Sequence, residues 1–93
     1  MPFIREIQVQ EPGTHGSHVT AVRWSELTTG PLREASVAEI FWRVRRGARF
    51  RTFDERTHAQ MDVEARVGFG GTRYLSTVQG GRENDALLAL PRF

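Results

Sequence analysis

The chain has no cysteine and no lysine. Without cysteine there are no disulfides, no thiolate metal sites and no thiol nucleophile. Without lysine a phosphate-cradling glycine loop cannot be completed, which leaves Gly68 to Gly71 as a turn. No apolar run approaches the roughly 20 residues of a membrane span. The first residues carry Arg5 and Glu6 where a leader would be apolar, so a cytoplasmic protein without a membrane partner is expected.

All thirteen basic residues are therefore arginine, set against eleven acidic ones for a net charge of +2. Two readings account for this bias. A GC-rich genome favours arginine codons. Alternatively, the planar guanidinium fork suits phosphate or carboxylate recognition better than an ammonium. A net charge this small does not by itself imply a polyanionic partner.

With 93 residues the chain is expected to form a single domain, 1–93, with one modest core. It is organised around one helix, about 36–46. Val37, Ile40, Phe41 and Val44 fall at i, i+3, i+4 and i+7, one face of a 3.6-residue period. Ser36 followed by Glu39 has the form of a capping box. Arg43, Arg45 and Arg46 load the last turn, where cations offset the dipole, and Gly47 supplies a left-handed stop. So short a helix needs its apolar face buried, because nucleation is costly.

The surrounding segments read as strands. Phe3 to Val9 alternates, with Ile7 and Val9 toward the core and Ile4 on the other side. His18 to Glu26 is rich in β-branched and aromatic residues and places Val22 and Trp24 on one face. Leu32 to Ala35 forms a short return strand. After the helix, Ala48 to Phe53 is a strand, and Gln60 to Val67 alternates cleanly with Met61, Val63, Ala65 and Val67 inward. Phe69 to Thr72 turns into Arg73 to Val78, and Gln79 to Asp85 is a glycine-led loop. The apolar end, Ala86 to Phe93, is expected to dock Leu87, Leu88 and Leu90 on the core. The fold class is α+β: a small, mostly antiparallel sheet of about six strands with the helix packed on one face.

The run Leu87-Leu88-Ala89-Leu90-Pro91-Arg92-Phe93, with Asp85 just before it, resembles the ending of a family of short, uncharacterised bacterial proteins. That ending is Asp-Asn-Leu-Leu-x-Leu-Pro, then a basic and an aromatic residue. The strand with Val19, Thr20, Val22 and Trp24 and the strand with Tyr74, Leu75 and Thr77 are similar to the family's as well. The order Asn84-Asp85-Ala86 departs from its pattern, as does Gly80-Gly81-Arg82, where the family often has an aromatic. The family is a domain of unknown function, so the resemblance implies a fold and no chemistry.

No catalytic motif and no cofactor site is read from the residues. His15 and His18, at i and i+3, are solvated loop histidines lacking a third ligand. Asp54, Glu55, His58 and Asp62 could be drawn together for acid/base work, metal-assisted or hydrolytic in type, but an exposed loop gives little pKa tuning. The binding candidates are Arg43, Arg45, Arg46, Arg49 and Arg51, with Trp42 as a stacking surface, a pattern able to follow a phosphate backbone. The competing reading pairs Arg49 and Arg51 across strands with Asp62 and Glu64. The functional expectation is a non-catalytic binding or interaction module. Its partner is an unknown protein, a second copy joined through a sheet edge, or nucleic acid on the arginine patch.

Overall fold

A computed structural model describes all 93 residues. Two antiparallel meanders are joined by one helix. The first contains β1 (Phe3–Val9), β2 (Val19–Ser25) and β3 (Arg33–Ser36). The helix α1 (Val37–Arg45) follows. The second contains β4 (Arg51–Phe53), β5 (Gln60–Val67), β6 (Arg73–Gln79) and β7 (Arg82–Asn84). They merge into a seven-stranded sheet of order β3-β2-β1-β4-β5-β6-β7. The seam between them is the parallel pairing of β1 with β4, through Phe3 with Arg51 and Ile4 with Thr52. The α+β architecture is the one expected, with one strand more.

The helix keeps its expected stripe and stop, but of the capping box only the Ser36 half forms, with no return bond from the Glu39 carboxylate. The Ser36 hydroxyl accepts the Glu39 amide hydrogen at 3.2 Å. Val37, Ile40 and Phe41 are buried and Val44 half-buried, so the apolar stripe faces the sheet. Each buried side chain contributes roughly 1.5–3 kcal/mol of transfer free energy. At the other end the Ala48 amide donates to the Arg43 carbonyl at 2.9 Å and the Gly47 amide to the Val44 carbonyl at 3.0 Å. This is a Schellman closure around Gly47, whose φ is +104°.

Two β-bulges correct the face assignment of the first hairpin. The register passes from Ile4–Trp24 to Glu6–Arg23, leaving Arg5 as an extra residue on β1, and from Gln8–Ala21 to Val9–Val19, leaving Thr20 extra on β2. Each extra residue resets the alternation, so Ile4 joins Ile7 on the core face and Val19 joins Val22. The strand expected over Ala48 to Phe53 is regular only from Arg51, although Phe50 is buried with its ring 5.8 Å from Trp24. The segment Gln79 to Asp85 is a hairpin and not a loop. Gly80 and Gly81, with φ of 60° and 80°, make the two-residue turn that returns β7 onto β6. In β5 Val63 is buried and Met61 and Ala65 half-buried, while Val67 is exposed near the strand end.

The chain end completes the sheet. β1 and β4 pair over only two positions. Beyond them the Ile7 amide donates to the Pro91 carbonyl at 2.9 Å, and the Phe93 amide donates to Ile7 at 3.0 Å. The tail thus takes the backbone groups that β4 leaves free. Leu87 and Leu90 are buried and Leu88 half-buried, as the apolar ending requires. No helix is long and apolar enough to cross a membrane.

Candidate anion-binding surface

The sheet sorts the arginines by face. Residues paired across strands share a face, and Ile4, Ile7, Val22, Trp24, Val63 and Leu75 mark the side covered by α1. On the opposite side each strand arginine has carboxylate partners. Arg23 meets Glu6 at 3.2 Å and Glu34 at 3.8 Å. Arg51 meets Asp62 at 3.2 Å, and Arg66 meets Glu64 at 2.8 Å and Glu83 at 3.8 Å. The Arg66–Glu83 pair also orders Tyr74, whose hydroxyl donates to Glu83 at 2.9 Å. That bond is the main reason the Tyr74 hydroxyl titrates above its ordinary range, and burial adds to it.

The helix side differs. Arg43, Arg45, Arg46 and Arg49 are exposed, and none of them lies in an ion pair. Arg33 and Arg73, without ion pairs themselves, join them through aromatic rings. The Arg43 and Arg33 guanidiniums lie 5.2 and 5.5 Å from the Trp24 ring centre, and the Arg73 guanidinium lies 4.9 Å from that of Trp42. Trp42 is 43% exposed, with its ring edge-on to Phe41 at 5.2 Å. Its position follows from the helical period: residue 42 falls outside the stripe formed by residues 37, 40, 41 and 44. A cleft of about 380 Å³ runs beside the helix C-terminus, lined by Pro2, Trp24, Glu26, Arg43, Arg46 and Phe50.

The structure therefore leaves Trp42, Arg43, Arg45, Arg46 and Arg49 exposed on and just after α1, and removes Arg51 from the group. Arg51 pairs with Phe3 in the seam, on the face away from the helix, and its guanidinium is held by Asp62. The one-residue alternation of β4 makes this unavoidable once Thr52 is buried beside Ile4. Arg49 has no cross-strand partner because regular pairing begins after it. Sequence reading did not find Arg33 or Arg73, which reach the surface only through the pairing of β3 with β2 and the packing of α1 near β6.

The histidines have other employment. His18 Nδ1 accepts the amide hydrogens of Thr14 and His15, each at 3.1 Å, and His15 Nδ1 accepts that of Ser17 at 3.1 Å. They cap the short turn Gly16–His18, which packs against β6 with the His15 ring 5.0 Å from Tyr74. The loop after β4 does not assemble an acid/base group. Asp54 chelates Arg56, accepting from Nε at 3.0 Å and Nη2 at 2.9 Å, and Asp62 faces Arg51. Of these carboxylates only Glu55 shares a cavity with His58.

No family model, curated protein or solved structure matches this chain.

Proposed function

We propose that the protein is a non-catalytic binding module whose α1 face receives a polyanion, single-stranded nucleic acid. The observation that supports this reading is the division of the arginines. Those on the open sheet face are matched to carboxylates, and those around α1 are not. Unpaired guanidiniums contact phosphates without first breaking an ion pair. Trp42 lies among them as a flat surface on which a base can stack, and stacking on an exposed aromatic is tolerant of sequence. The sheet edges favour strand addition less. β3 has four residues and β7 three, and short edge strands resist pairing with a second chain.

The test is fluorescence anisotropy with a labelled single-stranded oligonucleotide over a salt series. Four to six phosphate contacts give a slope of log affinity against log salt of about −3 to −4. Arg45→Glu with Arg49→Glu should abolish binding while leaving the melting temperature nearly unchanged. Trp42→Ala should weaken binding by about 1–3 kcal/mol with little change in the salt slope. Binding unaltered by these variants would refute the assignment of this face, and no binding at low salt would refute the function.

A further inference from the structure

A second, unrelated feature lies across the sheet from α1. Arg5, the extra residue of the β1 bulge, is held in the fold with its side chain only 9% exposed. It lines a cleft of about 690 Å³ together with Thr28, Thr29, Phe53, Glu55 and His58, within the size range of small-molecule sites. Its Nη1 donates to the Gly30 carbonyl at 3.4 Å and its Nη2 pairs with the Glu55 carboxylate. Its Nε is buried and has no partner. Nε and Nη2 form one edge of the guanidinium fork, the edge that takes both oxygens of a carboxylate. The molecule contains the filled version of that geometry, in Arg56 with Asp54. At Arg5 the same edge is half used, and a buried polar atom left without a partner calls for an explanation.

Glu55 is a weak occupant. Its side chain is 60% exposed and belongs to a surface turn, so leaving the guanidinium returns it to water. Phe53 is the one hydrophobic residue lining the cleft. The Phe53 ring is edge-on to Phe3 at 6.1 Å, and His58 stacks over it at 5.7 Å with 19° between the planes. His58 is the one non-glycine residue with positive φ, at 61°, a sparsely populated conformation.

We propose that this cleft binds a small organic carboxylate. Both carboxylate oxygens sit on the Nε and Nη2 edge of Arg5 in place of Glu55, and the organic body lies against Phe53. Glu55 acts as a tethered competitor that keeps the buried cation paired when the site is empty. This site is independent of the α1 face, so either can fail without the other.

The test is titration of the full chain with sodium benzoate, followed by amide chemical-shift changes, with inorganic phosphate as the comparison. Saturable shifts at Arg5, Thr28, Thr29 and Phe53 are expected. Glu55→Gln should tighten benzoate about tenfold if Glu55 holds the guanidinium nine-tenths of the time. Arg5→Met should abolish binding, and if that variant does not fold, Glu55→Gln decides alone. Benzoate affinity unchanged in Glu55→Gln, shifts confined to other parts of the molecule, or saturation by phosphate and not benzoate would each overturn the proposal.

Discussion

The Thr77 hydroxyl oxygen accepts the Leu87 amide hydrogen at 3.1 Å, joining the middle of β6 to the start of the apolar tail. Thr77 is fully buried, and its hydroxyl in turn donates to Asn84 Oδ1 at 2.7 Å, which also accepts the Ala86 amide hydrogen at 2.9 Å. Two side chains, Thr77 and Asn84, thereby satisfy the Ala86 and Leu87 amides where the chain leaves β7 and enters the core. The tail then runs on to pair with Ile7, so this junction sets where Leu87 and Leu90 enter.

Thr77→Val keeps the shape and removes the acceptor, leaving the buried Leu87 amide unsatisfied. The expected loss of stability is about 1–3 kcal/mol. Thr77→Ser keeps the hydroxyl and should recover most of that loss. Urea unfolding of both variants measures the difference.

Gly47→Ala tests the helix stop. Nothing lies within 4 Å of a Cβ built there, so the cost is one of backbone conformation and not of collision. A φ of +104° disfavours any residue with a Cβ, and a destabilisation of about 1–2 kcal/mol is expected. Thermal unfolding monitored by far-ultraviolet circular dichroism measures it.

The pair Asp54–Arg56 gives stability a dependence on pH. Arg56 hydrogen bonds, chiefly from its side chain, hold the Asp54 carboxyl below its usual range. A carboxyl whose folded pKa is depressed contributes stability above its unfolded pKa, and that contribution is lost as pH falls through the folded value. Asp54→Asn should therefore be less stable than the parent at neutral pH. The difference should start to shrink below about pH 4, where the unfolded carboxyl begins to protonate, and disappear only once the pH has fallen through the lower folded value. Melting temperatures of both proteins across an acid series give the comparison.

The helix was legible because its determinants are local. Ser36, the stripe at 37, 40, 41 and 44, and Gly47 lie within one short segment, and each acts on its immediate neighbours. The strand Gln60–Val67 was legible for the same reason, its alternation being uninterrupted until Val67. The hairpin at Gly80 and Gly81 has a local signal in its Gly-Gly turn, but β7 is short and polar, and only its pairing to β6 marks it as a strand. The arginine cluster was half legible. The helical period predicts that residues 42, 43, 45 and 46 fall outside the apolar stripe, whereas the loss of Arg51 from the group depends on a pairing between distant segments.

By itself the sequence determined that this chain makes one short helix among hairpins, with no thiol or lysine chemistry, and that its apolar end must be covered. These follow from composition, period and capping, which act over a few residues. Only the tertiary structure decided that bulges at Arg5 and Thr20 turn Ile4 inward, and that β1 and β4 meet in parallel with the tail completing their seam. It alone placed some arginines against carboxylates and left others free. Register and burial arise from contacts between residues far apart in the chain, and a single bulge reverses every side chain that follows it.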